Sequence, residues 1–369
     1  MSKQRSKKLE ECMKQIEELN RLSDPDILQT VTLSELYETV YESKPPVIED
    51  ILFPGLCIVA GDSKIGKSFL VSQFAYHVAS GTEMWDKKVT QGTVLYLALE
   101  DKYPRLQKRM YKMFSGESTE NLHFSVISGT IDDNLEKQLT NFITAHKNTN
   151  LIIIDTLQRV RGKTTESYSY ANDYEVVSKF KAIADNYGIC LLMVHHTRKD
   201  KKNDPFENIN GTTAIMGAAD ETIIISKENR TSNDAVLNIT GRDQPETKIE
   251  IVKNRETLLW ELVRFDDELY KEEADPLIAL LAEKVHSNGG QWNGSASALA
   301  DFLGTDLPPN KLTYKLNINV SNLLSNYSIE YKSRRDRNGR QINLMQIEKE
   351  VVTINDDSAD KTQGGILSA

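Results

Sequence analysis

The chain has 369 residues, enough for about two domains with tails. Hydrophobic residues make up 39% and charged residues 27%, a balance that excludes wholesale disorder and a fibrous protein. With 45 Lys/Arg against 54 Asp/Glu the formal net charge is −9, so a uniformly basic nucleic-acid binder is excluded and any such site must be local.

No run of apolar residues approaches the ~18 of a membrane helix, and the N-terminus lacks the apolar stretch of a secretory signal. Cys12, Cys57 and Cys190 are odd in number, far apart and without CxxC spacing, so neither a disulfide framework nor a zinc site is expected. A reduced, cytoplasmic setting without membrane association is the expectation.

Residues 1–44 read as an N-terminal helical arm and tether. Leu9, Met13, Ile16 and Leu19 recur at three- and four-residue steps, a narrow apolar stripe of a solvated or self-associating helix. The helix-like TLSELYETVYE follows, and Lys44-Pro45-Pro46 ends a helix.

Residues 45–265 change character. LCIVA, TVLYLALE, LHFSVIS, LIIID, ICLLMVHH and ETIIIS are short apolar runs alternating with helix-like stretches. They predict strands buried on both faces of a parallel sheet in an α/β fold. VLNIT, KIEIV and LLWELV are less continuous and closely spaced, which predicts antiparallel hairpins at one sheet edge.

Residues 266–274 read as an acidic linker, and 275–350 as a small second domain. Asp275 caps a helix with Pro276 at its first position. SASALADFLG and LTYKLNINVSNLLSN are helix-like, then IEYKS and QINLMQIE flank RRDRNGR with Asn338-Gly339 as the turn. Helices followed by a basic hairpin predict a winged-helix-like domain. The small, polar residues 351–369 predict a disordered tail.

The strongest chemical signal is Gly61-Asp62-Ser63-Lys64-Ile65-Gly66-Lys67-Ser68, a full GxxxxGK[ST] between a predicted strand and a helix opening with Phe69. Its glycines let the backbone wrap phosphates, its amides donate, and the helix dipole favours the anion. Lys67 reaches the β- and γ-phosphates and Ser68 offers a hydroxyl to Mg²⁺. Asp155, at the tip of LIIID, is placed for the same metal. Glu100 closes the strand between them and can orient and deprotonate a water, with neighbouring Asp101 as a competitor. His195-His196 end another strand. Adjacent strand residues point to opposite faces, so one is expected to sense the γ-phosphate and the other to be structural. Arg242, in NITGRD, is of the type that stabilises transition-state charge on a neighbouring subunit's nucleotide.

Together, GDSKIGKS, LALED, LIIIDTLQR, MVHHTRK and ITGRD resemble the RecA-like ATPase core of hexameric replicative helicases, in particular the RepA-type helicases of plasmids and phages. The resemblance spans about residues 45–265. It implies an ATP- and Mg²⁺-dependent core with a mostly parallel sheet and helices on both faces. By it, Lys67 and Ser68 hold nucleotide and metal, Asp155 serves the metal, and Glu100 is the catalytic base. His196 is the sensor, Arg242 is an arginine finger donated in trans, and Arg109 lies against the nucleotide base. It also implies a homo-oligomer, typically a hexamer, around single-stranded DNA. Asp62, Ser63 and Lys64 stand where such loops commonly carry glycine or proline. The arm and the second domain exceed the minimal helicase and suggest an added loading or origin-binding task.

In rings of this kind two loops face the channel. Here they carry Arg159, Arg161, Lys163, Tyr168 and Tyr170, then Arg198, Lys199, Lys201, Lys202 and Phe206. Such cations suit phosphates and such aromatics suit bases. Arg334, Arg335, Arg337 and Arg340 surround the C-terminal turn, and residues 311–349 hold eight Lys/Arg against three Asp/Glu. This net-positive wing is expected to meet duplex phosphates beside a recognition helix within 311–326. The expected function is an ATP-driven DNA motor, a replicative helicase of a mobile element. The alternatives are a DNA-binding initiator or regulator with ATP as an assembly switch, and a recombination or repair ATPase.

Overall fold

The computed structural model describes residues 28, 30–41, 44–161, 170–196, 213–229, 231–242, 246–266, 275–336 and 339–347. They fall into two compact units. One spans 44–273, and the other joins residues of 1–43 to those of 274–369. Helix α1 (Leu33–Glu38) belongs to the latter unit.

The larger unit is built on one sheet. Its strands are β1 (Gly55–Gly61), β2 (Thr93–Ala98), β3 (Leu122–Ser125), β4 (Thr149–Asp155), β5 (Cys190–His196), β6 (Glu221–Ser226), β7 (Asp234–Gly241), β8 (Thr247–Lys253) and β9 (Trp260–Asp266). Their spatial order is β3-β2-β4-β5-β1-β6-β7-β8-β9. The first six run parallel, and β7, β8 and β9 continue as an antiparallel edge. The expected mostly parallel α/β fold, with antiparallel hairpins at one edge, is therefore present.

Alternation along each central strand feeds two cores. Cys57, Val59, Ile153 and Leu192 pack with Leu70 and Phe74 of α2 (Lys67–Ser80) and Leu106 of α3 (Tyr103–Phe114). Ile58, Ile154 and Met193 face the other way. They meet α4 (Leu135–Ala145), the single turn α5 (Leu157–Val160), α6 (Tyr170–Tyr187) and α7 (Thr213–Ala218). Strand β3 is the exception to the expected two-sided burial: all four of its residues are half-buried, because it forms the sheet edge. Val47, Ile48, Ile51 and Leu52 precede the first predicted strand, and they too are buried in the first core.

The smaller unit contains α8 (Pro276–Ser287), β10 (Gln291–Ser295), α9 (Ala296–Leu303), α10 (Pro309–Ile318), α11 (Val320–Tyr327), β11 (Ile329–Asp336) and β12 (Gly339–Gln346). The antiparallel sheet has the order β10-β12-β11. Asp275 accepts from the Leu277 amide with Pro276 in the first turn, as the sequence predicts. Three details differ. Strand β10 is not anticipated by the sequence, since QWNGS lacks alternating apolar residues. The helical stretch over 311–326 is divided at Asn319 into α10 and α11. Gly339 pairs with Asp336 and so belongs to β12 and not to the turn that Asn338-Gly339 predicts.

Helix α1 packs on this unit. Tyr37 stacks on Tyr314 with ring centroids 5.4 Å apart, and the Asn317 amide donates to the Tyr37 carbonyl at 2.8 Å. Among the described residues no helix is long and apolar enough to cross a membrane. The expected arm helix over 1–22, the linker and the tail lie outside the described residues.

Candidate nucleotide-binding site

Parallel register assembles the site at the carboxyl ends of four neighbouring strands. Gly61 of β1 pairs with His196 of β5, Asp155 of β4 with Val194 of β5, and Ala98 of β2 with Asp155. The phosphate loop, His196, Asp155 and, two residues beyond β2, Glu100 therefore line one edge of the sheet.

The loop needs its glycines. A Cβ on Gly61 would lie 2.6 Å from the Ile225 carbonyl oxygen. Gly66 has φ of 117°, and a Cβ there would stand 2.7 Å from the Trp260 ring. Gly66 caps α2 without a side-chain bond, which leaves the helix N-terminus available to an anion.

Lys67 is buried. Its Nζ donates to the Gly61 and Asp62 carbonyls at 2.7 and 2.9 Å and lies 3.2 Å from His196 Nδ1. Burial brings the Lys67 ammonium down to about 8, opposed by the charges of Asp155, Asp62 and Glu100. Burial, then the Lys67 charge, lowers His196. His195 is buried on the opposite side of the strand, as expected for one of the pair.

Asp155 is buried and accepts from Tyr96 Oη at 3.0 Å. Burial raises its carboxyl, and hydrogen bonds from Ser68 and Tyr96 oppose that. A buried carboxylate beside a hydroxyl supplies hard oxygen donors, the chemistry that suits Mg²⁺. Glu100 is exposed, with Thr156 Oγ1 donating to its Oε1 at 3.5 Å. Asp101 is engaged by Arg105 and, at 2.8 Å, by Arg109. Of the two adjacent acids, Glu100 is the one whose charge acts on Lys67 and Asp155.

Arg109 lies on α3, its guanidinium 5.1 Å from the Phe69 ring centroid. Arg242 does not join the site within one chain. Gly241 pairs with Glu221 at the start of β6, and Glu221 with Cys57 near the start of β1. Arg242 thus stands at the opposite sheet edge, donating to the Gly217 carbonyl at 2.9 Å and 3.8 Å from Asp220.

Of the expected DNA contacts, Lys163, Arg198, Lys199, Lys201, Lys202 and Arg337 lie outside the described residues, as do Tyr168, Phe206 and the side chain of Tyr170. Arg161 is half-buried, and Arg159 donates to the Leu99 carbonyl. Arg334 is exposed. Arg335 and Arg340 both reach Glu38 Oε2, at 3.2 and 3.3 Å, and Arg340 also donates to the Glu38 carbonyl. Two of these four hairpin arginines are thus tied to α1.

Sequence reasoning missed Trp260. It is fully buried, and its Nε1 donates to the Gly66 carbonyl at 3.3 Å. Its backbone exchanges two 2.9 Å bonds with the Gln73 amide. The only signal was an aromatic in the last apolar run of the unit.

A family model for an AAA domain matches residues 24–202, a span containing the phosphate loop, Glu100, Asp155 and His196. No curated protein matches the chain. Among solved structures, it is similar to one described as an ATPase domain, at 12% identity and a TM-score of 0.46, over 69% of this chain and 99% of that one. It is also similar to a DnaB-like replicative helicase described with its interactions with primase, at 12% identity and a TM-score of 0.49, over 69% of this chain and 71% of that one.

Proposed function

We propose that this chain is an ATP-hydrolysing DNA motor: a replicative helicase of a plasmid, phage or other mobile element, working in the cytoplasm as a six-membered ring on single-stranded DNA. The observation that carries the reading is the register that lines Lys67, His196, Asp155 and Glu100 along one sheet edge. The AAA-domain match supports the nucleotide half of it.

In this reading the amides from Gly61 to Phe69 and the Lys67 ammonium hold the phosphates, and Arg109 flanks the base. Ser68 and Asp155 hold Mg²⁺, which when bound neutralises phosphate charge. Glu100 orients the attacking water and accepts its proton. His196 reads the γ-phosphate. Arg242 stands on the opposite edge from its own loop, which supports action on a neighbouring subunit's nucleotide.

Arg161, Lys163, Arg198, Lys199, Lys201 and Lys202 follow β4 and β5 and are proposed to hold single-stranded DNA. The helix–strand–helix–helix–helix–strand–strand order of the smaller unit, with its β10-β12-β11 sheet, supports a winged-helix reading. Its Arg334, Arg335, Arg337 and Arg340 would then meet duplex phosphates. The same unit favours the second reading, an initiator that uses ATP as an assembly switch. ATP hydrolysis with single-stranded DNA, sizing with nucleotide, and strand displacement on a fork test both. A motor turns over faster with DNA and unwinds the fork, whereas a switch hydrolyses slowly and unwinds nothing.

A further inference from the structure

Phe69, the first residue after Ser68, carries two cations. Lys253 Nζ lies 3.4 Å from its ring centroid and the Arg109 guanidinium carbon 5.1 Å. Lys253 ends β8 and is also 5.6 Å from the Trp260 ring, over which Lys227 Nζ stands at 5.1 Å. Three cations thus gather around two rings beside the phosphate loop.

Their charges are unevenly compensated: Asp234 attracts Lys227, which also donates to the Ser232 carbonyl at 2.9 Å, while only like charges act on Lys253. Among the described residues no ion pair reaches Lys253 or Lys227. Arg109 pairs with Asp101 through Nη2, while its Nη1 is buried without a hydrogen-bond partner. Burial, then the charges of Lys227 and Arg109, bring Lys253 down to about 8. The aromatic faces offset part of this cost. An anion placed between the cations would offset more.

Position selects the anion. In a phosphate loop the lysine reaches the β- and γ-phosphates, and the backbone amides hold the α- and β-phosphates. Phe69 lies two residues past Lys67 in the first turn of α2, where the helix meets the α-phosphate side. We propose that Lys253, steadied on Phe69 and joined by Arg109, binds the α-phosphate of a nucleoside triphosphate. The assignment rests on the nucleotide reading above and adds to it a residue from the far antiparallel edge of the sheet.

Calorimetric titration of the full chain tests it, using ATP, ADP and inorganic tripolyphosphate on wild type, Lys67→Ala, Lys253→Met and Lys253→Arg. Lys253→Met is expected to weaken all three ligands about tenfold, the worth of one charge-assisted hydrogen bond. Lys253→Arg should recover most of the loss. The unfolding temperature without nucleotide should not fall in Lys253→Met, since a repelling charge is removed. A loss shared by ATP and tripolyphosphate but absent for ADP places Lys253 at the γ-phosphate, and an unchanged tripolyphosphate affinity places it on the nucleoside; either overturns the assignment. Undiminished ATP binding by Lys253→Met, with binding lost in Lys67→Ala, overturns it and leaves the nucleotide reading standing. Absence of ATP binding by wild type overturns both.

Discussion

Lys67 Nζ stands 3.2 Å from His196 Nδ1, so the phosphate-loop cation and the histidine ending β5 share one contact across neighbouring strands. Burial, then the Lys67 charge, lowers His196, which favours the neutral imidazole whose Nδ1 can accept from the ammonium. On the proposed reading, a γ-phosphate would draw Lys67 toward itself, break this contact and free the ring. His196→Ala is expected to slow ATP hydrolysis ~10–100-fold with binding changed little, the pattern of a contact made chiefly in the transition state. His196→Gln, which keeps a polar head, should retain more. Steady-state rates beside equilibrium titrations check this.

Glu100→Gln keeps the size of the side chain and removes the proposed base. Hydrolysis should fall ~10²–10⁴-fold while ATP binding persists. Asp101→Asn should act differently. It releases Arg105 and Arg109, so nucleotide affinity should weaken more than turnover. Equal loss of turnover in both variants, at unchanged affinity, would falsify the assignment of the base to Glu100.

The lowered lysines give opposite pH trends for stability and binding. Lys67 and Lys253 are each brought from 10.5 to about 8 in the folded chain. Between those values the unfolded chain holds more protons, so nucleotide-free stability should rise with pH across that window. Affinity for ATP should fall over the same window, several-fold between pH ~7 and ~9, as the cations lose charge. Thermal unfolding without nucleotide and titrations at each pH check the two trends.

Glu38 pairs with two arginines of the β11–β12 hairpin, as a phosphate could. Glu38→Ala frees Arg335 and Arg340, which together span its carboxylate. Duplex-DNA affinity at low salt should rise a few-fold, with a steeper salt dependence from the added phosphate contacts. Fluorescence anisotropy at two salt concentrations measures both. An unchanged salt slope would exclude these arginines from DNA contact.

The contrast between Lys67 and Trp260 explains what was legible in the sequence. Lys67 and Ser68 were legible from the GxxxxGK[ST] spacing, and Glu100 and Asp155 sit at or just past strand ends, where a short apolar run followed by a polar residue marks the position locally. The parallel core and the antiparallel edge were legible from the same runs. Trp260 reaches Gly66 across 194 residues, and no local spacing encodes that pairing. Lys253 gives no signal either, since a lysine ending a strand is ordinarily solvated. Arg340 looked like part of a basic wing because composition shows charge and hides its partner. Glu38 lies 302 residues away, in a segment read as tether.

Trp260→Phe keeps an aromatic core residue and removes the bond to the Gly66 carbonyl. The variant should fold with a loss of about 1–2 kcal/mol and bind ATP more weakly. Trp260→Ala should lose about 3–5 kcal/mol as its buried site empties. Denaturant melts and ATP titrations separate the two effects.

The same Trp260–Gly66 contact sets an order for synthesis. A ribosome-bound chain carries every residue of the nucleotide motif once β5 has emerged, yet the ring that backs the loop arrives only with β9. A fragment ending after β6 would be complete by motif and incomplete by support, with one flank of Gly66 open to water. The full backing of the phosphate loop therefore comes last in the making of this unit, although the loop itself comes first.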